Sequence, residues 1–181
     1  MTATAGTLWT IGHSTRPWEE FVALLDEAAI ACVVDVRRFA GSRRNPQFSP
    51  QAMAPALREA GIDYSPVPAF GGRRAPRPDS PNGAWRVAAF RGFADHMASG
   101  EYIDAREQLM ERARQERCVV MCAEAVWWQC HRRLIADDFT ARDWEVLHLM
   151  KAGRSEPHPL NPAARMVGDV LVYPPEQPKL L

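Results

Sequence analysis

Short apolar runs alternate with helical patterns along most of the chain. Residues 8–11 form the first apolar run, which predicts a strand that ends at Gly12. Pro17 and the acidic residues behind it open a stretch with apolar side chains at helical spacing, which predicts a helix. Residues 31–36 are apolar except for Asp35, and this pattern is typical of a strand that is buried on both faces.

The middle of the chain is less regular. A polar loop over residues 37–50 precedes a predicted short helix that ends at Gly61. Residues 63–70 carry two prolines, so an edge strand is the most regular structure that we predict there. Residues 71–84 are rich in Arg, Pro and Gly and are predicted to form a loop.

Regular patterns return after this loop. They predict helices over residues 87–98, 102–115 and 129–139, strands over residues 118–122 and 145–149, and a small hairpin in which residues 164–166 and 170–173 flank a turn at 167–169.

This order of elements predicts the fold class. Strands that alternate with helices favour a mainly parallel sheet with helices on both faces, a three-layer, Rossmann-like α/β fold, here with a small C-terminal hairpin. The chain shows no internal repeat and no linker, so residues 1–181 are predicted to form a single domain.

Polar residues follow the predicted strands. In parallel sheets ligands bind beyond the carboxyl ends of the strands, so these residues are predicted to meet at one rim. They are His13 and Ser14 after the first strand, Asp35 and Arg37 at the second, Gly71, Gly72 and Arg73 after the third, Cys122 and Glu124 at the fourth, and His148 at the end of the fifth.

Composition narrows the class of protein. Hydrophobic residues make up 46% of the chain and charged residues 24%, which is typical of a folded globular protein. No apolar run is long enough to span a membrane, and residues 1–6 lack the layout of a signal peptide. We therefore predict a cytoplasmic protein without a membrane partner, whose four cysteines are thiols or ligands and not disulfides.

The charge is zero overall but unevenly distributed. Residues 31–91 contain ten Arg and four acidic residues, and Arg outnumbers Lys twenty to two in the whole chain. Two interpretations remain open: solvated arginines that reflect a bias in composition, or a surface that faces an anion, since guanidinium groups match phosphate and carboxylate geometry.

The segment from Cys122 to Arg132 is the densest cluster of reactive residue types. Glu124 follows Cys122 closely, while Cys130 and His131 lie near the start of a predicted helix, where free amide groups would lower the pKa of a thiol or hold an anion beside Arg132. The alternative is that the cysteines are small buried apolar residues, which is the interpretation that we favour for Cys118.

Two other chemistries are weakly supported in this segment. Cys122, Cys130 and His131, completed by His13 or His148, would give a metal site, but the spacing is not a zinc-finger pattern, and Cys130 and His131 diverge by roughly 100° if both lie on a helix. A cysteine phosphatase needs Arg six residues after the cysteine. Trp128 and Ala136 occupy those positions.

Two further polar groups have open roles. His13 could serve as an acid or base near neutral pH, or Ser14 or Thr15 beside it could cap the next helix. Asp35 needs a partner because a buried carboxylate is costly when unpaired, and Arg37 lies on the same face, although Arg132 or Arg43 are alternatives.

Two basic loops complete the candidate site. One contains Ser42 and Arg43, and the other contains Gly71, Gly72 and Arg73. Nearby aromatic residues, Phe48, Phe70 and Trp85, suggest stacking on a nucleotide or a single strand. Loops with surplus Arg are also common without a ligand, and for Trp85 we favour a place in the core.

The chain resembles a known bacterial family, domain of unknown function 488, over nearly its whole length. The strings that carry the resemblance are Ile11–Thr15 (IGHST), Val34–Arg37 (VDVR), Ser42-Arg43 with Asn45–Phe48 (NPQF), Phe70–Arg73 (FGGR), Trp85-Arg86, Phe90–Asp95 (FRGFAD), Met121–Glu124 (MCAE) and Cys130–Arg132 (CHR). The family often has Pro before the second cysteine, where this chain has Trp127 and Trp128. The resemblance implies an α/β fold and a shared site, and it supplies no reaction.

Three hypotheses follow. The first is an enzyme or ligand-binding domain for a small anionic ligand, phosphate-bearing or nucleotide-like, at the strand ends, with Cys122 or Cys130 as thiol, His13 or His131 as proton carrier and Arg37, Arg43, Arg73 and Arg132 as anion clamp. The second is a non-catalytic module that binds single-stranded nucleic acid or a nucleotide, and the third is a thiolate–histidine metal site. The sequence identifies no cofactor and no oligomeric state.

Overall fold

An open six-stranded sheet forms the centre of the computed structural model, which describes residues 4–41 and 43–176. Its strands are β1 (Gly6–Gly12), β2 (Cys32–Asp35), β3 (Asp63–Pro66), β4 (Cys118–Cys122), β5 (Trp144–Lys151) and β6 (Arg154–Pro157). They lie in the order β3-β2-β4-β1-β5-β6. The first five run parallel to one another, and β6 is antiparallel to β5.

Five helices cover the two faces of this sheet. They are α1 (Trp18–Glu27), α2 (Pro50–Glu59), α3 (Ala88–His96), α4 (Gly100–Gln115) and α5 (Arg132–Thr140). Apolar residues of α1 and α2 pack on one face of the sheet, and those of α3, α4 and α5 pack on the other. The three-layer α/β fold predicted from the sequence is confirmed.

Alternation along the strands explains why two cores form. Successive side chains of a strand point to opposite faces, so Val119 of β4 packs with the α1 and α2 side while Val120 packs with the α4 and α5 side. A strand buried in this way is apolar except where a polar group has a buried partner, and the pattern is seen in β4 and in β2 up to Asp35.

Serine side chains cap the N-terminal ends of two helices. Ser49 and Ser99 precede α2 and α4, and their hydroxyl oxygens accept hydrogen bonds from the amides of Ala52 and Tyr102 at 3.3 and 3.2 Å. These bonds satisfy amide groups that a first helical turn otherwise leaves unpaired.

The C-terminal hairpin is also confirmed. It consists of β7 (Arg165–Val167) and β8 (Val170–Val172), joined through Gly168 with a φ of +60°. The backbone amide of Tyr173, just after β8, donates to the side chain of Asn82 at 2.8 Å, which fixes the hairpin against the loop before α3.

The prolines in residues 63–70 predicted an edge strand, and β3 is one. β3 pairs only with β2 among the described strands and lies at the edge of the sheet. Beyond it, Pro68–Phe70 form a 3₁₀ turn, because the prolines lack the amide that a longer strand needs.

Several element boundaries shift by a few residues from the sequence prediction, and two of these differences move candidate site residues. The helix predicted from Gln129 begins at Arg132, since Trp127–Gln129 form a 3₁₀ turn and Cys130 has extended backbone (φ −123°, ψ 147°). Cys130 and His131 therefore precede the helix, and their predicted divergence on a helix surface does not apply.

The second difference concerns β5. The sequence gives no apolar alternation in residues 154–157, so β6 was not predicted, and β5 extends to Lys151 because β6 pairs with it. His148, predicted at the end of its strand, instead lies in the interior of β5 and is fully buried.

The strand order brings several polar loops to the carboxyl edge of the sheet. The chain crosses over β4 on its way from β1 to β2 and over β1 on its way from β4 to β5. The loops after β2, β3 and β4 therefore end at one edge, the usual place for a ligand in an open α/β sheet.

Candidate functional site

A cavity of about 130 Å³ lies at this carboxyl edge. Its walls come from the loops after β2, β3 and β4 and from the segment before α5. The lining residues are Arg37, Arg38, Phe39, Gly72, Arg73, Cys122, Ala123, Glu124, Cys130 and His131.

The loops after β1 and β4 are joined by backbone hydrogen bonds. The amides of His13 and Ser14 donate to the carbonyls of Cys122 and Ala123 at 2.9 and 3.0 Å. A Cβ atom at Gly12 would lie 1.8 Å from the carbonyl oxygen of Glu124. Only glycine lets the two loops approach this closely.

A pair of thiols forms the floor of the cavity. The sulfur atoms of Cys122 and Cys130 are 2.7 Å apart, and both side chains are buried. The guanidinium of Arg132 donates to the Cys122 sulfur, and the backbone amide of Arg132 donates to the Cys130 sulfur at 3.4 Å. These donors at the start of α5 stabilise negative charge on the pair.

The two thiols differ in acidity. Burial and the neighbouring Cys130 hold the pKa of Cys122 well above its ordinary value. Burial also raises the pKa of Cys130, but the Cys122 thiol, the Arg132 guanidinium and the Arg132 amide outweigh it, so the pKa of Cys130 lies below its ordinary value. Cys130 is therefore the more acidic thiol of the pair and loses its proton before Cys122.

Arg132 is part of the floor and not an exposed clamp. Its side chain is 1% exposed, and its Nη1 and Nη2 atoms donate to the carbonyls of Glu124 and Ala125 at 2.7 and 3.2 Å. The Glu124 side chain is exposed, so Glu124 serves this network through its backbone.

His131 stands beside the Cys130 sulfur as a neutral base. Its Nε2 atom donates to the carbonyl oxygen of Phe70 at 2.8 Å, with the Val36 carbonyl at 3.2 Å, so its Nδ1 atom is the acceptor and lies 3.7 Å from Cys130. Burial lowers the pKa of His131 below its ordinary value. A Cβ at Gly72 would lie 2.8 Å from the same Nδ1 atom, so Gly72 lets the third loop reach the imidazole.

A buried ion pair supports the wall at the end of β2. Asp35 accepts from Nε and Nη2 of Arg37 at 2.9 and 2.7 Å and from the hydroxyl of Tyr64 at 2.5 Å. The pairing of Asp35 with Arg37, one of the alternatives left by the sequence, is the one that forms. The bidentate contact fixes the guanidinium plane at the cavity wall.

His13 continues this network behind the wall. Its Nε2 atom accepts from Arg37 at 3.1 Å, its Nδ1 atom donates to the Ser14 carbonyl at 2.8 Å, and its ring stacks on Phe48. Burial, with a smaller contribution from the Arg37 charge, lowers the pKa of His13 to about 4. With both ring nitrogens engaged, His13 orients Arg37 and does not face the cavity.

The mouth of the cavity is basic. Arg38 and Arg73 are both exposed, and their guanidinium carbons lie 5.6 and 5.7 Å from the Phe39 ring centroid. Within the described residues neither forms an ion pair with a carboxylate. Arg73 has a φ of +58°, a strained conformation for a residue with a side chain, and Arg38 donates to its carbonyl at 2.9 Å.

The structure thus gathers some of the predicted site residues and separates others. Cys122, Glu124, Cys130, His131, Arg37, Gly72 and Arg73 line the cavity, and Asp35, His13 and Arg132 support it from behind. Ser14, Arg43 and Gly71 lie outside the lining, and Ser42 lies outside the described residues.

The stacking role suggested for Phe48 and Phe70 is wrong, while the core position favoured for Trp85 is confirmed. Phe48 and Phe70 are fully buried and Trp85 is 8% exposed, because each packs into a core cluster, so none can stack on a base. The exposed aromatic at the site is Phe39, which sequence analysis missed along with Arg38 and Ala123. The adjacent Arg37-Arg38-Phe39 in a loop after a strand was the available signal.

A second polar cluster is buried apart from the cavity. His158 donates from Nε2 to Asp137 at 2.8 Å and accepts at Nδ1 from His148 at 2.9 Å, while His148 accepts from the Thr10 hydroxyl at 2.6 Å. Burial lowers the pKa of His148 to about 2, and the ring of Trp127 stacks on it at 4.6 Å. These contacts occupy His148, which therefore does not complete a metal site with Cys122 and Cys130.

One group of three potential metal donors occurs in the described part of the chain. It lies at the opposite, amino edge of the sheet and consists of Cys32, Glu116 and Cys118, whose donor atoms are within 4.8 Å of one another.

Comparison with known proteins gives one match. The sequence profile of the family described as "Domain of unknown function DUF488" matches residues 17–139. No curated protein and no solved structure matches the chain. No helix in the described residues has the length and apolar character needed to cross a membrane.

Proposed function

The chain belongs to the DUF488 family, and we propose that its cavity binds a small anionic ligand, phosphate-bearing or nucleotide-like, beside a reactive Cys130 thiolate. The observation that carries the proposal is the composition of one cavity. Two guanidinium groups without carboxylate partners in the described residues stand at its mouth, and a thiol pair lies on its floor.

Charge favours an anion at this mouth. Asp35 neutralises Arg37, so Arg38 and Arg73 supply two positive charges against the single carboxylate of Glu124. Guanidinium groups hold phosphate or carboxylate oxygens in fixed geometry, and Phe39 between them offers a flat apolar surface to a ring on the same ligand.

The floor favours a reactive thiolate. Cys130 accepts from the amide of Arg132, and the acceptor atom Nδ1 of the neutral His131 lies 3.7 Å from its sulfur. A thiolate held by a helix start and a guanidinium is a nucleophile at neutral pH. The ligand would approach with its anionic group on Arg38 and Arg73 and its reactive atom on Cys130.

A pair of alkylating agents tests both parts of the proposal. Iodoacetate and iodoacetamide carry the same reactive carbon but differ in charge. The ratio of their alkylation rates at one cysteine therefore measures the electrostatic potential at that thiol. We expect Cys130 to be the fastest-reacting cysteine by peptide mapping, with a rate midpoint at lower pH than free cysteine and an iodoacetate-to-iodoacetamide ratio several-fold above that of free cysteine.

Matched arginine variants locate the charge. Arg73→Gln is expected to lower this ratio, whereas Arg43→Gln, an exposed arginine outside the lining, is expected to leave it unchanged. Inorganic phosphate should slow the alkylation of Cys130 in the wild type and less in Arg73→Gln. Equal ratios in the two variants, or a Cys130 that reacts no faster than free cysteine, would disprove the proposal.

Exposed Phe39 favours a second candidate, a non-catalytic module for single-stranded nucleic acid. Phe39 is 66% exposed and flanked by Arg38 and Arg73, an arrangement on which a base can stack. Fluorescence anisotropy with a labelled oligonucleotide should then show binding that weakens with salt and with Phe39→Ala. Binding that is insensitive to both would reject this candidate.

A further inference from the structure

Two cysteines and a glutamate converge at the amino edge of the sheet, away from the cavity. Cys32 and Cys118 are register partners in the neighbouring strands β2 and β4, and both are fully buried on the same face. Glu116 ends α4 two residues before β4, and the three donor atoms lie within 4.8 Å of one another. We propose that Cys32, Cys118 and Glu116 form a binding site for a thiophilic metal ion of the zinc class.

The donor set matches the chemistry of zinc. Thiolate sulfur and carboxylate oxygen bind Zn²⁺ at about 2.3 Å and about 2.0–2.2 Å, which places tetrahedral ligand atoms roughly 3.5–3.8 Å apart. Donors already within 4.8 Å reach these separations by small side-chain rotations. The fourth position is left for water, because Glu116 is part-exposed and faces the surface.

The surroundings favour a cation at this point. The C-terminal end of α4 contributes the partial negative charge of its free carbonyl groups. Arg112, one turn back on α4, donates to Glu116 and, at 2.7 Å, to Asp63, so it orients the Glu116 carboxylate. Two thiolates and one carboxylate would balance the ion and the nearby Arg112.

This site is independent of the anion cavity. Cys118 and Cys122 are the first and last residues of β4, and the four residue steps between them correspond to about 13 Å along the strand. Failure of the proposed anion site would therefore leave the metal site untouched, and the reverse also holds.

Cobalt titration of the intact protein tests the proposal. Co²⁺ replaces Zn²⁺ at thiolate sites and produces thiolate-to-cobalt charge-transfer absorption in the near ultraviolet, so the probe reports sulfur ligation directly. We expect saturation at one Co²⁺ per chain and displacement by Zn²⁺. Cys118→Ala should abolish the absorption, and Cys130→Ala, which alters the other thiol pair, should retain it.

A surface variant keeps the test decisive if the core variant does not fold. Glu116→Gln removes a part-exposed ligand and is expected to weaken Co²⁺ binding about tenfold or more, while Glu111→Gln, an exposed residue of the same helix, should not. Absent charge-transfer absorption in the wild type would overturn the proposal, as would absorption lost in Cys130→Ala, equal affinity in the two glutamate variants, or a disulfide between Cys32 and Cys118 in freshly purified protein.

Discussion

Stability should fall steeply below neutral pH because two histidines are buried in the neutral form. The pKa of His148 is lowered to about 2 and that of His13 to about 4, against 6.5 for an exposed histidine. The folded state thus holds fewer protons than the unfolded state between these values. The stabilisation is complete above pH 6.5 and is lost as the pH falls, because protonation favours unfolding.

The size of the effect follows from these shifts. Each histidine should lose roughly 1.4 kcal/mol per pH unit below 6.5, or about 2 kcal/mol between pH 7 and pH 5, so the two together should reduce the free energy of unfolding by about 4 kcal/mol. Burial also lowers the pKa values of His96 and His131, which adds to the loss. Asp138 acts in the opposite direction, since burial raises its pKa.

Comparing the wild type with a His148 variant isolates the contribution of His148 to the pH dependence of the unfolding free energy. Urea unfolding of the wild type and of His148→Gln, at pH 5 and at pH 7, measures the four free energies. The loss between the two pH values should be about 2 kcal/mol smaller in the variant, and the other groups cancel because both proteins carry them.

An equal loss in both proteins would refute the argument. The His148 ring proton resonance gives a second measurement that needs no variant. It should not titrate between pH 5 and pH 8 in the folded wild type, and titration near pH 6.5 would refute the buried neutral state.

Three further outcomes are expected. Asp35→Asn should lower the free energy of unfolding by about 3–5 kcal/mol in urea titrations because it leaves a buried guanidinium without its carboxylate, while Asp79→Asn, from an exposed pair, should change it by less than about 1 kcal/mol. A similar effect of both changes would contradict the buried pair. Gly12→Ala should lower the thermal midpoint and slow the alkylation of the cavity thiol, since its Cβ would lie 1.8 Å from a carbonyl oxygen of the β4 loop, and an unchanged midpoint would show that the loops separate readily. A mild thiol oxidant should join Cys122 and Cys130 in an intramolecular disulfide that peptide mapping detects, given their sulfur separation of 2.7 Å, and a pairing with any other cysteine would contradict the site geometry.

Most of the fold could be predicted because the buried elements have strong periodic patterns. β4 was predicted with its observed bounds, since an all-apolar run between a polar helix and a loop has few alternatives. β6 was missed because its residues, Arg154–Pro157, are polar and are ordered by pairing with β5. Hydrophobic patterns in a sequence reveal only elements with buried side chains, and the side chains of this edge strand are mostly exposed.

The location of the candidate site could be predicted from the sequence, but the contacts between its side chains could not. Topology brings the ends of parallel strands together, so the residues after β2 and β4 could be placed at one rim. The sequence did not show that Cys130 precedes α5 or that His13 is held by Arg37, because both depend on side-chain contacts between distant segments. Sequence spacing likewise gave no indication of Cys32 beside Cys118, since the contact arises from the register of β2 on β4.

The register of β4 has a wider consequence. Cys118, Val120 and Cys122 face one layer and Val119 and Met121 face the other, so a single residue inserted or deleted between the two cysteines would turn one thiol toward the α1 and α2 layer while the other kept its face. Such a change would also move every strand position beyond it to the wrong layer, whereas a substitution at either cysteine would affect one position. Natural variants of the chain should therefore tolerate replacement within β4 more readily than any change in its length.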